Sequence, residues 1–146
     1  MKIVFMGTPD YAVPTLKQLI SDGHDVAAVF CQPDKPVGRK QILTPPAVKV
    51  CAIEHNITVY QPDSVRTDEV YDTLTNINPD VIVVVAYGKI LPERILNLAK
   101  YGCINGHASL LPKYRGASPI QWAIVNGEKE TGVTIQYMDK GIDTGD

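Results

Sequence analysis

The stretch Lys2-Ile3-Val4-Phe5-Met6-Gly7-Thr8-Pro9-Asp10, continued by Ala12 to Ser21 and then by Val26-Ala27-Ala28-Val29-Phe30, decides the fold. Lys2 to Phe5 is an apolar, β-rich run that stops at Gly7, as a strand buried on both faces does. Gly7-Thr8-Pro9-Asp10 has the composition of a turn. Ala12 to Ser21 then places Val13, Leu16, Leu19 and Ile20 at helical spacing, and Gly23 ends that helix. Asp25 to Phe30 is a second buried strand. A strand, a helix and a strand in this order predict a parallel pair joined by a right-handed crossover. A dinucleotide-binding domain would show G-x-G-x-x-G after the first strand. Only Gly7 stands there, which argues against such a site.

Working outward, the same alternation continues. Pro45-Pro46 starts a helix, capped by Thr44, that runs to about Glu54. Ile57 to Tyr60 is a short strand. Val70 to Leu74 belongs to a further helix closed by Asn78-Pro79. Val81-Ile82-Val83-Val84-Val85 is the most emphatic buried strand in the chain. Pro92 opens another short helix, Tyr101 to Asn105 is a fifth strand, and Ser118-Pro119 starts a helix carrying Trp122, read as core. Thr131 to Tyr137 alternates apolar and polar, as a half-exposed or edge strand does. The fold expected is α/β: a doubly wound, mostly parallel sheet with its site at the carboxyl ends of the strands.

A chain of 146 residues, 45% hydrophobic and 21% charged, makes one globular domain with a real core. Its formal net charge of −2 advertises no general attraction to nucleic acid, although a local basic patch can supply one. Cys31, Cys51 and Cys103 are far apart and have no metal-ligand spacing, so they read as small buried residues of a reduced, cytoplasmic protein. No metal site is expected. No apolar run approaches the length of a membrane span.

Three stretches carry candidate chemistry. Gln32 to Pro46 is predicted to be a loop, since Pro33, Pro36, Gly38, Pro45 and Pro46 forbid regular structure across it. It holds Lys35, Arg39 and Lys40 against the single acid Asp34, which suits a solvated surface loop or a phosphate-binding one equally. Ala86-Tyr87-Gly88-Lys89-Ile90-Leu91-Pro92 follows the strongest strand, where open α/β sheets bind ligands, though loop packing explains Tyr87 and Gly88 as well. Asn105 and His107 are set two apart, so a strand end points both side chains the same way, and Asp143 follows in a glycine-bracketed turn. Taken alone, a histidine after a strand is more often packed than catalytic. Yet an amide donor, an imidazole and a carboxylate are the parts that acyl transfer to an amine needs.

Asn105 to Gln121, read as Asn-Gly-His-Ala-Ser-Leu-Leu-Pro-Lys-Tyr-Arg-Gly-Ala-Ser-Pro-Ile-Gln, and the later Asp139-Lys140-Gly141-Ile142-Asp143-Thr144-Gly145 together resemble the formyltransferase family. Its members carry the formyl group of 10-formyltetrahydrofolate to an amine. The resemblance runs from Met1 to Asp146 and leans to those members that act on methionyl initiator tRNA in translation initiation. It implies a Rossmann-like fold in which Asn105 donates to the developing oxyanion. His107 would stabilise that charge or shuttle a proton, and Asp143 would orient the imidazole and help remove the amine proton. It assigns Tyr87, Gly88, Ile90, Leu91, Ser109, Leu110, Leu111, Pro112 and Asp139 to the folate pocket, and Lys35, Arg39 and Lys40 to the tRNA acceptor arm.

The resemblance further implies that residues 1–146 are an N-terminal formyltransferase domain, with a C-terminal tRNA-binding domain outside this sequence. A monomer with no membrane partner is expected. Gly106 departs from the pattern, standing where a larger apolar residue is expected between Asn and His. Two alternatives remain at this point: formylation of a small amine such as glycinamide ribonucleotide or an amino sugar, and a folate-binding module without catalysis. The basic loop favours tRNA over the first, and intact Asn105, His107 and Asp143 argue against the second.

Overall fold

Five parallel strands grow out of the apolar runs: β1 (Lys2–Gly7), β2 (Asp25–Phe30), β5 (Thr58–Tyr60), β6 (Val81–Val85) and β7 (Cys103–His107). Two short strands, β3 (Lys35–Val37) and β4 (Ile42–Thr44), form a separate antiparallel ladder, and β8 (Thr134–Tyr137) pairs antiparallel with β7. The computed structural model describes residues 1–107 and 134–137. The main sheet has the order β5-β2-β1-β6-β7-β8, so β8 stands at one end of it among the described residues.

The helices α1 (Val13–Ser21), α2 (Ala47–Glu54), α3 (Asp68–Ile77) and α4 (Glu93–Leu96) divide between the two faces of this sheet. On one face Leu16 of α1 and Val48, Cys51 and Ala52 of α2 pack against Ile3, Phe5, Val83 and Val85. On the other, Val70 and Leu74 of α3 and Ile95 and Leu96 of α4 pack against Val4, Met6, Ile82 and Val84. Every residue of β6 is buried, because helices cover both of its faces. This is the doubly wound α/β architecture expected from the sequence.

Local chemistry sets the element ends. The Thr67 side chain accepts a hydrogen bond from the Val70 N–H at 3.3 Å and so caps α3, whose first turn carries Asp68 and Glu69 against the helix dipole. Asn78 ends the helix in the left-handed region at φ 54°, before Pro79. Gly7 closes β1 where no side chain fits: a Cβ there would lie 2.8 Å from both the Phe5 ring and the Val85 carbonyl. That close approach lets the ends of β1 and β6 lie side by side.

Two expectations are corrected. Residues 35–44 are not an irregular loop but a hairpin, with Lys35 opposite Thr44, Pro36 opposite Leu43 and Val37 opposite Ile42. Proline is tolerated there because a two-stranded ladder consists of edges, where a missing N–H can face solvent. Gly38 at φ 76° and Gln41 at φ 52° make the turn, closed by the Gln41 N–H donating to the Gly38 carbonyl at 3.2 Å. Nor does Thr44 cap α2. Its hydroxyl donates back to the Ile42 carbonyl at 3.0 Å, and Pro46 occupies the cap position. The Val48 N–H at that helix start is instead satisfied by the Thr8 carbonyl at 3.3 Å.

Candidate active site at the carboxyl edge of the sheet

The strand order reverses between β1 and β6, since the chain lays β2 and β5 on one side of β1 and β6, β7 and β8 on the other. Open α/β sheets bind ligands outside the carboxyl ends at such a switch point. The segment Ala86 to Leu91 leaves β6 there. Ala86 has φ +51° and Gly88 φ +92°, so the backbone makes two excursions into the left-handed region within three residues. Side chains from neighbouring turns hold it. The Thr8 hydroxyl donates to the Tyr87 carbonyl at 2.8 Å, and Gln32 Nε2 donates to the Gly88 carbonyl at 3.0 Å.

The residues assigned to donor binding in this segment differ in what they expose. Tyr87 is 1% exposed and Leu91 5%, and both side chains lie in the core on the α3 and α4 side. Burial pushes the Tyr87 phenol well above its ordinary value, and its hydroxyl has no hydrogen-bond partner among the described residues. Ile90, by contrast, is 69% exposed. Lys89 folds away, its ammonium donating to the Asp63 carbonyl at 2.6 Å. What this segment offers a ligand is therefore the Ile90 side chain and backbone groups, with Tyr87 and Leu91 as the packing beneath.

Asn105 lies in β7, in register with Val84 of β6 and with Gln136 of β8. Cys103 and Val84 both belong to the core on the α3 and α4 side, so strand alternation places half-buried Asn105 on that face. The strand continues through Gly106, opposite Ile135, to His107, opposite Thr134. Gly106 thus enters the ladder in spite of the freedom it adds. Ser109, Leu110, Leu111, Pro112, Trp122, Asp139 and Asp143 lie outside the described residues.

The hairpin stands at the same carboxyl edge, its first strand beginning at Lys35 soon after β2 ends at Phe30. Residues 35–45 are exposed throughout, and the turn Gly38–Gln41 puts Arg39 and Lys40 at its tip. Asp34 at its root is engaged by Lys49 at 3.1 Å and by Gln61 Nε2 at 2.7 Å, and these hydrogen bonds, Gln61's first, hold its carboxyl below the ordinary value. No carboxylate among the described residues pairs with Lys35, Arg39 or Lys40. Val37, Ile42 and Leu43 are more than half exposed alongside them, a basic and apolar surface.

Sequence reasoning missed Thr8, Gln32, Gln61 and Lys49. The signal was present in part, since Thr8 and Gln61 each follow directly on a strand of the parallel sheet. The thiols offer no nucleophile here. All three are buried, and burial raises Cys31 to about 11 and Cys103 to about 12, so they stay protonated near neutral pH. No group of three metal-ligating side chains is found among the described residues, and no helix among them is long and apolar enough to cross a membrane.

Comparison with known proteins places this architecture. The sequence matches the family described as formyl transferase over residues 1–146, and the chain belongs to that family. It is 59% identical to the methionyl-tRNA formyltransferase of Alkaliphilus oremlandii, across 100% of this chain and 47% of that protein. The chain thus spans about half the length of the curated relatives it matches. Among solved structures it resembles the phosphoribosylglycinamide formyltransferase from Bacillus halodurans, with a TM-score of 0.68 and 25% identity over 99% of this chain and 75% of that one. It also resembles a formyltetrahydrofolate deformylase from Pseudomonas syringae pv. tomato, with a TM-score of 0.66 and 25% identity over 99% of this chain and 48% of that one.

Proposed function

We propose that residues 1–146 form a formyltransferase domain that moves the formyl group of 10-formyltetrahydrofolate to the α-amino group of methionine on initiator tRNA. The name borne by the 59% identical relatives supports the reaction, and that of the Pseudomonas structure supports the donor. The observation that carries the acceptor is the hairpin. Its tip presents Arg39 and Lys40, its first strand begins with Lys35, and no described acid neutralises them in a chain of net charge −2. Such cations hold an RNA backbone by its phosphates and position it without reading sequence.

Two side chains support a donor site at the carboxyl edge. Ile90 exposes an apolar surface suited to a flat ring, and Asn105 adds an amide on the strand next to β6. In this reading Asn105 donates to the oxygen of the formyl carbonyl as the amine attacks, where a preorganised donor lowers the barrier. His107, two residues on, stabilises the same charge or carries a proton, and Asp143 orients the imidazole and assists loss of the amine proton. Ser109 to Pro112 and Asp139 complete the donor pocket, and the protein works as a cytoplasmic monomer.

The test offers the full-length protein 10-formyltetrahydrofolate with three acceptors in parallel: methionyl initiator tRNA, glycinamide ribonucleotide and an amino sugar. Formylation of the tRNA alone is the expected outcome. Formylation of a small amine in its place would move the chain to another branch of its family, and transfer to none of the three would overturn the catalytic reading.

A further inference from the structure

Gln32 belongs to no motif, yet all three of its polar groups tie separate segments together. Its N–H donates to the Thr8 hydroxyl at 3.3 Å, its carbonyl accepts from Gln61 Nε2 at 3.1 Å, and its own Nε2 donates to the Gly88 carbonyl at 3.0 Å. Gln61 Nε2 also donates to Asp34 Oδ1 at 2.7 Å, and Lys49 holds the same oxygen at 3.1 Å. Asp34 immediately precedes Lys35, the first residue of β3. A continuous path therefore runs from the basic hairpin through Asp34, Gln61 and Gln32 to the segment after β6.

The last contact is tight. A Cβ at position 88 would lie 2.6 Å from Gln32 Nε2, so the amide packs directly on the glycine. It grips a backbone that has something to restrain, because Ala86 at φ +51° and Gly88 at φ +92° flank the buried Tyr87. A non-glycine residue held in the left-handed region persists where its surroundings over-determine it. Thr8 and Gln32, on successive carbonyls, are those surroundings.

We propose that Gln32 is a positioning residue that couples acceptor binding at the hairpin to donor binding at residues 86–91. This rests on the assignment of those two segments in the preceding section. A polyanion seated on Lys35, Arg39 and Lys40 fixes the hairpin root, and Gln32 passes that constraint to the Gly88 carbonyl and thus to the backbone around Ile90. Coupling of this kind is reciprocal: the donor tightens the acceptor by the factor with which the acceptor tightens the donor.

The experiment measures the affinity of the full-length protein for 10-formyltetrahydrofolate by calorimetry, with and without saturating uncharged initiator tRNA, which cannot react. Wild type is compared with Gln32→Met, which keeps the size and loses the donor, and with Gln32→Ala. The expected result is a donor affinity raised about fivefold or more by tRNA in wild type. In both variants that factor falls towards one, while tRNA affinity measured alone changes less than twofold. Amide hydrogen exchange at 86–91 provides the second readout, slowed by tRNA in wild type and unaltered by it in Gln32→Met.

An undiminished factor in a folded Gln32→Met protein would overturn the proposal, as would a factor of one in wild type. Failure of the wild type to bind either ligand would instead overturn the functional reading beneath it, and the proposal with it.

Discussion

Val84 of β6 and Asn105 of β7 stand in register across a parallel ladder. Val84 is buried among core side chains, whereas Asn105 is half-buried near the point where its strand leaves the core. The pairing sets the candidate amide donor level with the last residues of β6, immediately before the segment that Thr8 and Gln32 hold. The segment after β6 and the candidate amide donor are thereby placed by one sheet rather than by two independent loops.

Removing the Tyr87 hydroxyl should not weaken the fold. It is buried and has no partner among the described residues, so Tyr87→Phe relieves a desolvated polar group. An unmade buried hydrogen bond costs roughly 1–3 kcal/mol, and stability by urea unfolding is expected to stay level or rise by up to about 1 kcal/mol. A loss of about 2 kcal/mol or more, on the same scale, would mean that the hydroxyl is satisfied after all.

The hairpin supplies a kinetic expectation. Arg39→Ala should raise the KM for methionyl initiator tRNA by several-fold while barely changing kcat, because a phosphate contact positions the acceptor and takes no part in the chemistry. The difference from wild type should narrow as salt rises, since screening removes the contact from both proteins. Steady-state kinetics at two salt concentrations checks this, and equal KM values at low salt would refute it.

Asp34 makes stability depend on pH in one direction. Gln61 and Lys49 lower its folded value below the ordinary 3.8. Its contribution is therefore complete above the ordinary carboxylate range and is lost as pH falls through the lowered folded value. Thermal melts of wild type and Asp34→Asn should differ most at neutral pH and converge in acid below about pH 4. A gap that widened on acidification would contradict the assignment.

Much of this architecture was legible in the residues, for stated reasons. Val81 to Val85 announces a central strand because both of its faces are covered, and the β1–α1–β2 run announces a parallel crossover through its changes of period. The hairpin was not legible. Its strands are three residues long and exposed on all sides, so no buried face imposes alternation on them, and Pro36 reads as a breaker. In the site, the motif around Asn105 and His107 marks the carboxyl edge, but nothing local distinguishes Tyr87 the ligand contact from Tyr87 the core residue. That depends on α3 and α4 packing over it. Gln32 was invisible for the opposite reason, since its partners Thr8, Gln61 and Gly88 are distant in sequence and meet only through strand order.

The catalytic placement of Asn105 is tested most directly by single-turnover transfer of a labelled formyl group from 10-formyltetrahydrofolate to methionyl initiator tRNA. The full-length wild type and Asn105→Ala are compared, with circular dichroism as a check on folding. Losing one oxyanion donor costs roughly 3 kcal/mol, so the transfer rate should fall about a hundredfold or more while tRNA affinity is retained. A folded Asn105→Ala protein that transfers the formyl group at a rate near that of wild type would contradict the account.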